Sequence, residues 1–180
     1  LEKETRRTKV NRLIMIGLTV LLIVGGGWIF LKSDQGIKGN QVVATRTVVG
    51  GDGKEVTIPA LPKRVVIISS AGLDLYVAAG GESAIIGRAE SPNLPEECKK
   101  KIEKAENVGA PSGVSLEKII ALKPDLVIGA EVTFQRQLEE PLKQANIPLL
   151  LVKTQSVEDN IKIIRLFGEL TGKKEIADKK

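Results

Sequence analysis

The chain has 180 residues, 42% hydrophobic and 27% charged. That is enough for one α/β domain with a real core plus one further element, and it excludes wholesale disorder. The net charge of +5 is mild and gathers in the tails, at Lys3, Arg6, Arg7, Lys9 and Arg12 and again at Lys173, Lys174, Lys179 and Lys180. No basic stripe with interleaved aromatics lies between them, so nucleic acid is not an expected partner. Histidine is absent and Cys98 is the only cysteine, which removes the commonest proton shuttle, any internal disulfide and a zinc site. Neither a metal nor a cofactor is expected.

Residues 1–12 form a basic tail, and from Leu13 to Leu31 no residue is charged. As a helix this run would cover roughly 28 Å, near the hydrocarbon thickness of a bilayer. The basic flank stays cytoplasmic by the positive-inside rule, so everything after Leu31 is expected on the extracytoplasmic side of the cytoplasmic membrane. Trp28 falls near the outer end, where an indole prefers to lie. Two readings fit: an uncleaved transmembrane anchor, or a signal peptide with Leu13 to Val24 as its apolar region. Length favours the anchor. No cysteine closely follows the run, which argues against a lipid attachment. Residues 32–41, with Gly36 and Gly39, read as a linker.

The exported part, 42–180, opens with a β-hairpin, Val42 to Val49 and Glu55 to Ile58, around Gly50-Gly51-Asp52-Gly53. The glycines read as a turn, since no helix follows to make a phosphate cradle. Apolar strands then alternate with helices. The strands are Val65 to Ser69, Ala84 to Gly87, Leu126 to Gly129 and Leu149 to Val152. The helices are Leu73 to Ala79, Glu96 to Glu106, Leu116 to Leu122, Phe134 to Ala145 and Val157 to Thr171. Unbroken apolar strands between helices predict an α/β fold with a parallel sheet covered on both faces. Ligands bind such sheets beyond the carboxyl ends of the strands. Here those ends are Ser69-Ser70, Arg88 to Glu90, Glu131 to Phe134 and Lys153-Thr154. GELTGKK, at 168–174, departs from the phosphate-loop spacing and lacks a preceding strand, so it reads as a helix stop. Cys98, among Glu96, Glu97, Lys99 and Lys100, has no activating environment in the sequence.

Four stretches carry a resemblance: GDGKEVTIPALPKRVVIIS, LYVAAGGESAIIGR, NVGAPSGVSLEKIIALKPDLVIG and FGELTGKKEIA. Together, from about Val43 onward, they resemble the substrate-binding proteins of iron-siderophore, haem and cobalamin ABC importers. The resemblance implies one lobe of a two-lobe protein, the N-terminal half, ending near the start of a long connecting helix. It implies an ABC permease with its ATPase as partner and a metal chelate or corrinoid as ligand. It also implies that Glu117 docks to permease arginines, although a first-turn glutamate also complements the helix dipole. Loop residues that could face ligand are Ser70, Arg88, Ser91, Ser112, Glu131, Phe134 and Arg136; the two arginines could bind an anionic chelate bidentately. The family's aromatic contacts are thinly represented, with Phe134 alone at a strand end. No nucleophile–base pair stands out, so an enzyme is not expected. Two other functions stay open: a membrane-anchored interaction module that docks without ligand, and a lobe of a nitrogenase-like metal-cluster enzyme. The latter would need cluster cysteines, which Cys98 alone cannot supply.

Overall fold

A computed structural model describes residues 44–179, so the tail, the apolar run 13–31 and the linker lie outside the described residues. Among the described residues no helix is long and apolar enough to cross a membrane.

Thr45–Val49 (β1) and Glu55–Pro59 (β2) form the expected antiparallel hairpin, with Thr45 opposite Pro59 and Val49 opposite Glu55. Val65–Ile67 (β3), Ile85–Arg88 (β4), Glu106–Asn107 (β5), Leu126–Ala130 (β8) and Leu149–Val152 (β9) make one sheet in the order β5-β4-β3-β8-β9. Every pairing in it is parallel. Gly109–Ala110 (β6) and Gly113–Val114 (β7) form a second small hairpin. The helices are Ser70–Ala78 (α1), Glu96–Lys101 (α2), Leu116–Ala121 (α3), Thr133–Arg136 (α4), Glu139–Gln144 (α5), Val157–Thr171 (α6) and Lys174–Ala177 (α7).

β3, β8 and β9 are apolar throughout because alternate residues serve opposite faces and both faces are covered. Val65, Ile67, Leu126, Ile128, Leu150 and Val152 join one core, packed with Leu73 and Tyr76 of α1 and Ile164, Phe167 and Leu170 of α6. Val66, Ile68, Val127, Leu149 and Leu151 join the other, with Ile119 of α3 and Leu142 of α5. In the first core the rings of Tyr76 and Phe167 meet edge-to-face at 5.0 Å and 72°, worth about 1 kcal/mol beyond buried area.

Helix ends follow local chemistry. Ser156 caps α6, accepting from Asp159 N at 3.1 Å, and Asp159 Oδ2 accepts in turn from Ser156 N at 3.2 Å. Partial desolvation pushes the Asp159 carboxyl up, but its bonds from Ser156 and Gln155 and the charge of Lys153 more than offset this, leaving it below its ordinary range. Gly172 ends α6 at φ 69°, the left-handed cap that glycine adopts without strain. GELTGKK is thus a helix stop.

Three helices differ from expectation, the first being α1, which begins at Ser70 rather than Leu73 because Ser69 caps it. Glu96 to Glu106 is helical only to Lys101, and Glu106 pairs instead with Gly87 as an edge strand. Phe134 to Ala145 splits into α4 and α5 with a break at Gln137 and Leu138. Pro141 causes the break: it has no N–H for the Gln137 carbonyl, and its ring fits only in a first helical turn.

Candidate functional site

Four connections cross the carboxyl end of the sheet, and the ligand candidates sit on them and on the β6–β7 hairpin. After β3 the chain turns directly into α1, where buried Ser69 is the cap, accepting from Gly72 N at 3.1 Å. That places Ser70 exposed on the first turn. After β4 it runs through buried Ser91, whose Oγ lies 3.2 Å from Ser70 Oγ and 3.4 Å from the Ala89 carbonyl. The two hydroxyls border a cavity of about 240 Å³, also lined by Asp74, Asn93 and Leu94. Arg88 is half-buried; its Nη1 donates to Ala89 O at 3.3 Å, while its buried Nε has no partner among the described residues.

The second group lies around α4. Ser112 is exposed at the tip of the β6–β7 hairpin and shares a cavity of about 200 Å³ with Phe134, Gln137 and Leu138. Phe134 is 42% exposed. Arg136 donates to Glu131, so its guanidinium is already engaged by a carboxylate. The structure therefore gathers Ser70 with Ser91, Ser112 with Phe134, and Glu131 with Arg136, while Arg88 stands apart on β4.

Sequence reasoning missed Gln135. It is 2% exposed, and its side-chain amide is fully used. Oε1 accepts from Ala130 N at 2.5 Å, and Nε2 donates to Ile68 O at 3.0 Å and to Pro111 O at 3.2 Å. A glutamine beside an exposed phenylalanine carries no sequence signal for such a role, because two of its partners are 67 and 24 residues away.

A third cavity, of about 250 Å³, lies at the end of β9 between the β1–β2 turn and α6, lined by Gly50, Gly51, Lys153 and Lys162. The turn touches the sheet there, with Gly51 N donating to Leu151 O at 2.6 Å and Lys54 Nζ meeting Glu139 Oε2 at 2.6 Å. A Cβ on Gly51 would come within 2.6 Å of Lys153 N, so only glycine permits that approach.

Glu117 is exposed in the first turn of α3 after the Ser115 cap, and its carboxylate has no ion pair or hydrogen bond among the described residues. Ile120, one turn on, is 37% exposed. Cys98 lies 3.6 Å from Asp74 Oδ1; burial first, then Asp74, push its thiol up, away from the reactive thiolate. Among the described residues no cluster of three or more His, Cys, Asp or Glu side chains could hold a metal.

Comparison with known proteins agrees with this architecture. The ABC transporter substrate-binding lipoprotein YvrC of Bacillus subtilis is 29% identical over 164 residues, covering 89% of this chain and 51% of that protein. A vitamin B12-binding protein of Pectobacterium carotovorum is 34% identical over 101 residues, covering 56% of this chain and 35% of its own length. The chain thus spans about half or less of the curated relatives it matches. Among solved structures, Staphylococcus aureus SirA complexed with staphyloferrin B aligns at TM-score 0.60 and 25% identity, over 75% of this chain and 45% of that one. The petrobactin-binding protein YclQ of Bacillus subtilis aligns at TM-score 0.65 and 19% identity, over 76% and 48%, a likeness of fold. Residues 65–180 match the periplasmic binding protein family, and the chain belongs to it.

Proposed function

We propose that the chain is the N-terminal lobe of an extracytoplasmic substrate-binding component of an ABC importer, carrying an iron chelate or a corrinoid. The carrying observation is the open wall at the carboxyl ends of the parallel strands, where serine hydroxyls and the exposed Phe134 border cavities that nothing in the lobe fills. The relatives support the ligand class by name: vitamin B12-binding proteins and an iron(3+)-hydroxamate-binding protein of Bacillus subtilis. On this reading the protein is a carrier rather than an enzyme. Ser70 and Ser91 face each other with no histidine to activate them, since the sequence has none. The apolar run 13–31 tethers the lobe to the membrane, and Glu117, without an ion pair among the described residues, forms with Ile120 the docking spot for the permease.

One lobe gives a ligand only one wall. Small-molecule sites bury about 70–90% of their ligand, and an open wall gives up about half of that. Losing about 3 kcal/mol of contact weakens binding by more than about a hundredfold. Titration of the full chain in detergent with ferric hydroxamate, ferric catecholate, haemin and cyanocobalamin, read by amide NMR shifts, tests this. Weak binding of one class, with shifts confined to residues near Ser70, Ser91, Ser112 and Phe134, is expected. A sub-micromolar constant would overturn the one-wall view, and no shift with any probe would overturn the ligand reading.

A further inference from the structure

We infer that Gln135 is a positioning residue, whose one buried amide holds three separate strand-end segments, and the candidate ligand contacts on them, in a fixed arrangement. Ile68 directly follows β3, two residues before Ser70; Pro111 precedes Ser112 at the hairpin tip; Ala130 ends β8 just before Glu131. Gln135 bonds to the backbone of all three and is itself flanked by Phe134 and Arg136. Five of the seven ligand candidates therefore lie within two residues of an atom in this cluster.

The amide's orientation is forced by chemistry. Ala130 offers an N–H and needs an acceptor, while Ile68 and Pro111 offer carbonyls and need donors, so the oxygen and both hydrogens of the amide are each assigned. No other uncharged side chain of this size supplies one acceptor and two donors from a single planar group. The segments need this help, because α4 has four residues and β6 and β7 two each. Gly129 makes the room: a Cβ there would stand 3.0 Å from Gln135 Oε1 and 3.1 Å from Leu151 Cδ2.

The link to ligand rests on the carrier reading; the link between the segments does not. The test is hydrogen–deuterium exchange on the full chain in detergent, with Gln135→Glu, Gln135→Met and Gly129→Ala. Gln135→Glu keeps the acceptor and loses both donors, and Gly129→Ala crowds the amide without altering it, which provides a readable variant should either Gln135 change prevent folding. Exchange at residues 69–73, 109–115 and 130–137 is expected to rise together by about tenfold or more, with β9 amides nearly unchanged. Unchanged exchange, or a uniform rise across the sheet, would overturn the inference. With cyanocobalamin and a ferric hydroxamate as probes, Gln135→Glu is expected to weaken binding by about tenfold. If the unaltered chain binds and Gln135→Glu binds equally well, the positioning role fails; if the unaltered chain binds neither probe, the carrier reading fails while the exchange result still decides the role of Gln135.

Discussion

The two ends of the parallel sheet are built to opposite rules. At the amino end, side chains hold the backbone of the strand entries. Asp125 accepts from Lys63 N at 2.7 Å and Arg64 N at 3.0 Å, and the Arg64 guanidinium donates to Leu122 O at 2.6 Å and Lys123 O at 3.1 Å. Thr171 Oγ1 donates to Ala79 O at 3.0 Å, and Gly81 lies so close to Tyr76 that a Cβ would fall 2.2 Å from its ring. At the carboxyl end a phenylalanine stands exposed, serines face a cavity, and Arg88 Nε has no partner among the described residues. The amino end is held by bonds from side chains to backbone, whereas the carboxyl end carries serines and an exposed phenylalanine on its connections. The proposed ligand wall thus lies at the opposite end of the sheet from these stabilising bonds.

That division can be broken from the closed end first. Asp125→Ala should cost about 2 kcal/mol, since it strips charged acceptors from two backbone N–H groups that precede β3. Urea unfolding would read this, and a loss below about 0.5 kcal/mol would remove the amino end's special status. Alkaline pH sharpens the same contrast. Burial, with some help from Asp125, raises the Tyr76 phenol above its ordinary range, and its hydroxyl has no partner among the described residues. The unfolded phenol ionises near pH 10 while the folded one stays neutral, so the unfolded state binds fewer protons above that pH. Stability should then fall as pH rises past 10, by about 1.4 kcal/mol per unit, with no contribution below. Tyr76→Phe should abolish that component of the slope and cost little at pH 7. Smallest are the changes at the open end. Phe134→Ala and Glu117→Ala should each move stability by less than about 0.5 kcal/mol. Phe134→Ala should nonetheless erase the ligand-induced NMR shifts near Ser112. Glu117→Ala should reduce uptake in cells without altering ligand titrations, and unchanged uptake would return Glu117 to an ordinary helix-dipole role.

Much of this was legible in the sequence, and the misses share a cause. The four longer strands announce themselves as apolar runs because both faces of the sheet are covered, and α6 carries its Ser156 start and Gly172 stop in plain view. The strand Glu106–Asn107 gives no such signal: it has two residues, both exposed, and owes its place to Gly87 and Arg88 on β4. The β6–β7 hairpin is equally short. Pro141 was readable as a helix interruption, yet the apolar spacing of Phe134, Leu138 and Leu142 suggested one continuous helix. Topology named the strand ends at Ser70, Arg88, Glu131 and Phe134, and the resemblance added Ser91, Ser112 and Arg136. Their pairings could be read from neither, since Ser70 meets Ser91 and Gln135 meets Ile68 only through the crossovers that fold the chain back.

The first hairpin has a mechanical consequence. Residues 44 and 60 sit side by side, with Ala60 N donating to Ala44 O at 2.8 Å, and the strands pair antiparallel from Thr45–Pro59 to Val49–Glu55. A pull transmitted through residue 44 therefore loads this ladder at its open mouth, rung by rung, rather than along its length. Each rung is worth only about 1 kcal/mol net, so the load would meet one weak bond at a time, reinforced by the Arg46–Glu169 ion pair and the buried Val48 and Ile58. Under tension the hairpin would peel toward its turn, where Gly51 N is bonded to Leu151 O of β9, paying out the five residues of β1 at roughly 3.4 Å each. It is a fuse in series with the five-stranded sheet, and a domain loaded through residue 44 would yield there first.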